Sequence, residues 1–359
     1  MDPTVFFTPD EVARARSYHR PLYLALAADI ALSTLVTALL AFGWLGDRLY
    51  AVTSGPWWAR AVVFTVLVLA VVEVVRLPLS CWRSFVRERR WGFSTQTGRG
   101  WAVDRGKGFA IGALLTAVAM VALLASIHVF PSWWPLVAAS GAALIALLLV
   151  FVAPLVLEPL FNRFEPLERG ELADGLLALA RRARVPVREV LVADASRRTR
   201  RHNAYVSGLG RTRRVVLYDT LLADADRPEI EIVVAHELGH RRHRDVAKGT
   251  LLVMASFAFA VLLVWPLDPT PRRIPLLLFV WGLLELVTLP LTAAFSRRLE
   301  RRADRFALEL TRDPGAFEAA FRRLATTNLA DLDPPRVVYA LLFTHPTPPE
   351  RIAAAATIR

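Results

Sequence analysis

The chain contains very little cysteine and very little lysine. Cys81 is the only cysteine among 359 residues, so no intramolecular disulfide can form, as is typical of a reducing compartment. Lys107 and Lys248 are the only lysines among 44 basic residues. This strong use of arginine in place of lysine favours a GC-rich genome and a bacterial source. Internal repeats and low-complexity linkers are also absent, so nothing indicates a repeat architecture.

The chain also lacks any nucleic-acid-binding motif, although its formal net charge is +12. The arginines concentrate in segments that flank long hydrophobic runs, where they would face a membrane surface. We therefore expect the lipid bilayer as a partner and no nucleic acid.

Long hydrophobic runs are the main feature of the sequence. Hydrophobic residues make up 55% of the chain, and the mean hydropathy is +0.39. A run of about 20 apolar residues crosses a bilayer as a helix. The sequence predicts six such spans, which are Leu22 to Leu45, Ala59 to Leu79, Phe109 to Val129, Trp134 to Leu157, Gly249 to Leu267 and Ile274 to Phe295. The first span is too long for a cleaved signal peptide and is expected to be an anchor.

Few charged residues fall inside these spans. Asp29, Glu73, Arg76 and Glu285 are the notable ones. Charges within a membrane are costly and often functional. Here we expect them to pair between helices or to line a water-filled cavity, without a catalytic role.

The arginine distribution predicts the orientation. The loop between the second and third spans is strongly basic, as are the segment 158–248 and the tail after Phe295, whereas the opposite loops are short and contain few basic residues. Basic loops stay on the cytosolic side. We therefore expect a multi-pass protein of a bacterial inner (plasma) membrane with both termini in the cytosol.

The most informative motif is the H-E-x-x-H pattern at residues 236–240. His236 and His240 are four residues apart, so both imidazoles stand on one face of a helix and can reach a single metal ion. Glu237 lies where it can take a proton from a water bound to that metal. Because the pattern also occurs by chance in long proteins, a third ligand is needed to support a zinc site.

Glu300 is the candidate third ligand. A short turn, Asp268 to Arg273, separates the last two spans, and its midpoint is equally far in sequence from His240 and from Glu300. If both helices run unbroken, an antiparallel hairpin brings these two residues together and completes a three-ligand site for one zinc ion per chain. Asp304, one turn later, could accept a hydrogen bond from a ligating histidine. The alternative is that Glu300 and Asp304 are ordinary charges on a solvated helix.

The cytosolic segments alternate helices with short strands. Gly170 to Arg184 and Ile230 to His243 have helical patterns, whereas the strand patterns are Glu189 to Ala193, Asn203 to Ser207 and Arg214 to Tyr218. We divide the chain into an N-terminal membrane domain with four spans (1–157), a cytosolic catalytic block with the edge strand (158–248), a transmembrane hairpin (249–295) and a second cytosolic block (296–359). The fold class is mainly α, a polytopic membrane protein with a cytosolic α+β domain.

Several further motifs resemble the CAAX prenyl protease 1 family of integral-membrane zinc metalloproteases, over nearly the whole length of the chain. They are Phe7-Thr8-Pro9, Arg90 to Thr97, Pro159-Leu160-Phe161-Asn162, His202-Asn203-Ala204-Tyr205 and Val216 to Leu221. The resemblance implies a zincin-like (gluzincin) catalytic domain. Eukaryotic members of this family are longer and have seven spans around a large intramembrane chamber, whereas six are predicted here.

The resemblance also implies roles for individual residues. His236, His240 and Glu300 would bind zinc, and Glu237 would be the general base. Asn203 would lie on the strand that pairs with the substrate backbone, and His345 would point at the reacting carbonyl. Without the resemblance, Asn203 is better explained as a strand-end capping residue, and His345 as a loop residue before a proline.

The expected activity is zinc-dependent hydrolysis of peptide bonds in membrane-associated or CAAX-type substrates at the cytosolic face. One alternative is a quality-control metalloprotease that has no preference for prenylated substrates. Another is a non-catalytic scaffold or sensor that contains zinc, although an intact Glu237 argues against it. The partner is a peptide or protein substrate, and the sequence does not indicate an oligomeric state.

Overall fold

The structure is a computed structural model that describes residues 2–356. Within that range the backbone is mostly helical. In chain order the α-helices are α1 Pro9–Phe42, α2 Trp44–Ala51, α3 Trp57–Cys81, α4 Arg87–Arg90, α5 Gly98–Val129, α6 Trp134–Val152, α7 Glu158–Phe161, α8 Glu171–Arg182, α9 Asp219–Asp224, α10 Arg227–Arg242, α11 Asp245–Val264, α12 Ile274–Thr311, α13 Pro314–Thr327, α14 Arg336–Leu342 and α15 Pro348–Ala356. Two π-helical turns, Trp82–Val86 and Ala153–Leu157, join α3 to α4 and α6 to α7.

Six helical segments among the described residues are long and apolar enough to cross a membrane, which confirms the predicted number of spans and the mainly α class. They are Pro9–Phe42, Trp57–Arg90, Gly98–Val129, Trp134–Phe161, Asp245–Leu267 and Pro271–Thr311. The spanning helices are longer than the apolar runs because they continue into the polar segments at one or both ends.

The first span ends earlier than predicted. We expected it to reach Leu45, but α1 stops at Phe42, and Leu45 belongs to the short helix α2. Gly43 and Gly46 allow the sharp change of direction: a Cβ at Gly46 would lie 1.9 Å from the carbonyl oxygen of Leu40. At eight residues, α2 is too short to cross a bilayer.

Three of the four charged residues inside the spans, Asp29, Glu73 and Arg76, are paired between helices, whereas Glu285 only accepts a 2.8 Å hydrogen bond from Trp281 on its own helix. Asp29 on α1 accepts hydrogen bonds from Arg76 at 2.8 and 2.7 Å and from Arg83 at 3.1 Å. Glu73 accepts a 2.5 Å hydrogen bond from Arg105. These pairs tie α1 to α3 and α3 to α5, so the cost of placing charges near the membrane is offset by mutual hydrogen bonding.

The described residues contain one four-stranded sheet, in the order β1-β2-β4-β3. Its strands are β1 Phe164–Pro166, β2 Glu189–Ala193, β3 Ala204–Ser207 and β4 Arg214–Tyr218. β2 and β4 are parallel, and the other two pairs are antiparallel. The predicted strands are present, but β1 was not predicted, because three residues that include a proline give no alternating pattern. β3 lies at one edge of the sheet.

A single large core holds together the sheet and the helices that surround it. It unites the first turns of α1 with α8, the sheet, α10, α12, α13 and α15. Tyr18 of α1 and Leu217 of β4 are buried in it, as are Leu238 of α10 and Phe317 of α13. Its packing places α10 between the sheet and α12, which is where the H-E-x-x-H motif lies.

Candidate metal centre and active site

The helix that carries the motif is fixed at both ends. Asp226 caps the first turn of α10 in a reciprocal arrangement with Glu229, and Pro228 occupies an early position that needs no amide hydrogen. The apolar residues Ile232 and Val234 are almost fully buried in the core. This packing fixes α10 in the core, and the motif histidines lie on the side of the helix that faces Glu300 of α12.

Gly239 lets α12 approach α10 closely. A Cβ at this position would lie 3.2 Å from the Cα of Ala303 and 3.1 Å from the ring of Phe306. The space that this glycine leaves is occupied by α12. The close contact brings Glu300, on the same helix, to the face of α10 that carries the histidines.

The three proposed ligands converge. Nε2 of His240 lies 3.3 Å from Oε1 of Glu300, and Nε2 of His236 lies 3.3 Å from Oε2 of the same carboxylate. The two Nε2 atoms are 3.1 Å apart. The prediction of Glu300 assumed one unbroken helix from His240 to the turn. Instead, α10 ends at Arg242, and Arg244 adopts a left-handed conformation (φ 57°) before α11 begins. The equal sequence distances nevertheless identify the right partner.

The other nitrogen of each imidazole faces a buried carboxylate. Nδ1 of His236 lies 2.8 Å from Oδ1 of Asp304, and Nδ1 of His240 lies 3.1 Å from Oδ2 of Asp245. A carboxylate at this place favours the proton on Nδ1 and leaves the lone pair of Nε2 pointing into the site. Burial lowers the pKa of His236, but the adjacent carboxylates of Asp304 and Glu300 outweigh it and raise that pKa to about 9.

Two residues of this network were not predicted. Asp245 begins α11 five residues after His240, a separation that no single helix face would bring together. Arg351 on α15 donates to both oxygens of Asp304, at 2.9 and 2.5 Å, although it is far away in sequence. Only the break at Arg244 could have hinted at Asp245, and no sequence signal points to Arg351.

The donor set fits a metal ion. Ligands held tetrahedrally at about 2.0–2.1 Å from zinc lie about 3.3 Å apart, and the ligand atoms of His236, His240 and Glu300 lie within 4.8 Å of one another. Oε2 of Glu300 is buried and accepts no hydrogen bond among the described residues. The two Nε2 atoms are close enough to share a proton, and a cation between them would replace that proton and also satisfy Oε2 of Glu300.

Glu237 lies in the wall of a cleft of about 490 Å³ beside these ligands. Burial raises the pKa of its carboxyl group. The same cleft is lined by His236, Asn203 and His345, so the structure brings these candidate residues to one place.

His345 lies on an exposed loop between α14 and α15. Nε2 of its ring is 3.4 Å from Oε1 of Glu300, and its side chain is 58% exposed. Arg297 of α12 donates hydrogen bonds to the carbonyls of Tyr339 and Phe343, at 3.0 and 2.5 Å, and so holds the start of this loop. The imidazole can therefore reach the open side of the metal centre.

Asn203 lies just before β3 rather than on it. Its carbonyl still accepts a 3.0 Å hydrogen bond from the amide of Tyr218, but its side-chain oxygen accepts from the amide of Ala204, also at 3.0 Å. The residue thus has the capping contact expected of a strand end, and it also lines the cleft.

Comparison with known proteins assigns the family. Residues 166–359 match the model of peptidase family M48. The chain belongs to this family. Residues 5–163 match a second model, described as the CAAX prenyl protease N-terminal region with five membrane helices. Over that region the described chain has four helices long enough to span, together with the short helix α2.

Individual relatives agree with this assignment. The chain is 29% identical to "Uncharacterized metalloprotease YhfN" of Bacillus subtilis over 99% of this chain and 87% of the relative. It is 30% identical to the CAAX prenyl protease 1 homolog of Dictyostelium discoideum over 70% of this chain and 63% of the relative. The structure of S. mikatae Ste24p matches 97% of this chain and 89% of that one, with a TM-score of 0.79 and 23% identity, which shows a shared fold. The chain is a membrane-embedded metalloendopeptidase.

Proposed function

We propose that this enzyme is a zinc-dependent endopeptidase that hydrolyses membrane-associated peptide substrates at the cytosolic face, with one zinc ion per chain held by His236, His240 and Glu300. The observation that carries the proposal is that three residues each bring a ligand atom to one place, and that one of them, Glu300, has a buried carboxylate oxygen without a hydrogen-bond partner among the described residues. An imidazole pair with one carboxylate is a donor set that catalytic zinc uses, with the fourth position open to water.

When bound there, zinc would lower the pKa of water and polarise a substrate carbonyl. Glu237 accepts the proton of the attacking water and later delivers it to the leaving amine. Burial, which raises the pKa of this carboxyl, makes both proton transfers easier near neutral pH. His345 donates a hydrogen bond to the oxygen on which negative charge develops. Asp304 holds His236 in the tautomer that the site needs.

The free edge of β3 is the proposed binding place for the substrate main chain. In the described residues β3 pairs only with β4, and Ala204 at its start lines the cleft beside Glu237. An extended peptide can add to such an edge through main-chain hydrogen bonds. Asn203 would contact it there.

We infer a location in the bacterial inner membrane, with the catalytic centre and both termini in the cytosol. The arginine-rich segments on the side of the metal ligands support this orientation. We also propose the division into a membrane domain (1–157), a catalytic block (158–248), a transmembrane hairpin (249–295) and a second catalytic block (296–359).

Two substrate classes fit this site, and the bacterial relative that matches nearly the whole chain makes the second a serious candidate. The first is CAAX-type substrates, which relatives with that printed name suggest. The second is damaged or misfolded membrane proteins, for which prenylation would be irrelevant. A structural or sensory zinc protein is disfavoured because Glu237 has no use in a purely structural site.

The test compares membrane extracts that contain the wild-type protein with extracts that contain Glu237→Gln. We expect Glu237→Gln to retain zinc and to lose activity by about two to four orders of magnitude, since the general base is gone and the ligands remain. Mass spectrometry of fragments that accumulate only with the wild type then identifies the substrates. Wild-type cleavage by Glu237→Gln would show that the proposed mechanism is wrong.

A further inference from the structure

The open edge of β3 is not uniform along its length. β3 pairs with β4 in antiparallel orientation, and the amide of Tyr218 donates a hydrogen bond to the carbonyl of Asn203. The backbone groups of Asn203 and of every second residue after it therefore point toward β4. Because this direction alternates along a strand, Ala204 and Val206 direct their amide and carbonyl groups to the free edge. These two residues therefore define what a substrate strand could contact, and of their groups the amide of Ala204 already donates to the side chain of Asn203.

Arg241 already occupies the far end of that edge. Its guanidinium donates a hydrogen bond to the carbonyl of Val206. Arg241 is one helical turn after Glu237 on α10, so the two side chains lie on one face of the helix. The free edge of β3 therefore begins at Ala204, beside the cleft that Glu237 lines, and ends where Arg241 contacts Val206.

Within the described part of the chain, no carboxylate lies within ion-pair distance of Arg241, although Glu237 and Glu158 are close enough to act on its charge. Its guanidinium can donate five hydrogen bonds, yet the bond to Val206 is its only side-chain hydrogen bond among residues 2–356, and it forms no ion pair there. The side chain is half-buried. An arginine that is partly removed from water and lacks a carboxylate is unusual, because burial of a charge is costly unless it is paired.

Arg213 adds a second unpaired charge at the same place. It lies at the turn that enters β4, within electrostatic range of Arg241. Its Nε is buried and has no hydrogen-bond partner in the described part of the chain. Nearby Glu158 does not neutralise the pair, because it already accepts from Ser207 at 2.7 Å and lies 3.5 Å from Arg214.

We propose that Arg241 and Arg213 bind an acidic side chain of the substrate and so determine specificity. A peptide that adds antiparallel to β3 places its more N-terminal residues toward Val206. The acidic residue would thus lie about two positions N-terminal to the residue that pairs with Ala204. A guanidinium pair binds a carboxylate through charge-assisted hydrogen bonds, which are the strong ones. This inference rests on the proposed function, since it assumes hydrolysis at the site of Glu237.

The test measures kcat/KM of the purified, zinc-loaded full chain on a fluorogenic peptide series. Glu, Gln or Lys is placed in turn at each of the positions N-terminal to the cleaved bond. For the wild type we expect Glu to exceed Gln by about tenfold at one position, equivalent to about 1.4 kcal/mol, and Lys to be the poorest. Arg241→Gln and Arg213→Gln should bring the ratio of Glu to Gln close to one, and Arg241→Glu should favour Lys.

Two further variants control for structure. Arg242, the exposed neighbour of Arg241, is a matched control, and Arg242→Gln should keep the wild-type ratio. Arg241→Lys keeps a donor and a charge and should retain part of the preference. If Arg241→Gln fails to bind zinc, the ratios of Arg241→Lys and Arg213→Gln decide the question.

The outcomes separate the two levels of inference. A ratio of Glu to Gln near one at every position in the wild type, or an unchanged ratio in Arg241→Gln and Arg213→Gln, overturns this inference alone, provided that Glu237→Gln is inactive in the same assay. Hydrolysis by Glu237→Gln at the wild-type rate overturns the proposed function instead.

Discussion

At the residue scale, the two motif histidines are supported by different surroundings. His236 is nearly inaccessible, and its carboxylate partner Asp304 is clamped by Arg351 through two hydrogen bonds. His240 is more open, with a side chain that is 19% exposed, and its partner Asp245 is contacted by Arg302. Each carboxylate is thus oriented by an arginine from a different helix.

These carboxylates should tune zinc affinity. Asp304→Asn and Asp245→Asn remove the negative charge that orients a ligating imidazole and raises its basicity. We expect each to weaken zinc binding by about 10- to 100-fold. Competition with a chelator measures the affinity. Asp224→Asn serves as the control, because it alters the carboxylate partner of His202, a histidine that is not one of the proposed ligands. Unchanged affinity in both variants would contradict the assigned role of these carboxylates.

His345 and Asn203 should separate in steady-state kinetics. His345→Ala should lower kcat by about 10²- to 10³-fold and raise KM less, because its hydrogen bond strengthens as charge builds on the oxygen. Asn203→Ala should impair turnover without loss of zinc. A cleavable model peptide and a metal analysis distinguish these effects. If both variants matched the wild type, only the roles of the zinc ligands and Glu237 would stand.

At the scale of elements, the contact between α10 and α12 decides whether a site forms at all. The proposed ligands come from both helices. Of the glycines in α10 and α12, Gly239 is the one at which an added Cβ would lie closest to the other helix. Side chains at such a contact have no room for an added methyl group, since protein interiors are close-packed.

Gly239→Ala should therefore destabilise the enzyme. The added Cβ forces α12 away from α10, which typically costs about 1–3 kcal/mol, and it should also reduce zinc retention. Gly249→Ala on α11 is the matched control, because nothing lies within 4 Å of its added Cβ and alanine favours a helix. Thermal melting and zinc content of the two variants provide the measurement. Equal stability of both would show that the close contact is not limiting.

At the scale of the whole molecule, the membrane and catalytic parts are joined by the first helix. Phe7, Val12 and Tyr18 belong to the large core around the sheet, although the proposed division assigns them to the N-terminal membrane domain. Arg201 donates to Glu88 at 2.9 Å, and Arg198 donates to Asp104 at 2.8 Å. The catalytic unit therefore contacts the basic loop between the second and third spans, which fits a site close to the membrane surface.

The orientation predicts an accessibility pattern. Single cysteines are introduced into a variant that lacks Cys81. Ser54→Cys places one in the loop after α2, and Ala319→Cys places one on α13, and both positions are exposed. A membrane-impermeant thiol reagent added to intact cells should label Ser54→Cys and not Ala319→Cys, because basic segments remain in the cytosol. Permeabilised cells should label both. The reverse pattern in intact cells would overturn the cytosolic orientation.

Much of the architecture follows from local patterns. Hydropathy predicts the six spans because membrane crossing depends on a run of consecutive apolar residues. The spacing of His236 and His240 predicts a shared face because helical geometry repeats over four residues. Glu300 could be found from its sequence distance to the hairpin turn, since two packed antiparallel helices bring equidistant positions together.

The amino-acid sequence by itself determined the membrane class, the histidine pair and its third partner. Only the tertiary structure decided that Asp245 contacts His240, that Arg351 contacts Asp304, that Gly239 makes room for α12, and that Arg241 ends the open edge of β3. The physical reason is that these contacts join segments whose separation follows no helical or strand period. They form only once the sheet, α10 and α12 share one core.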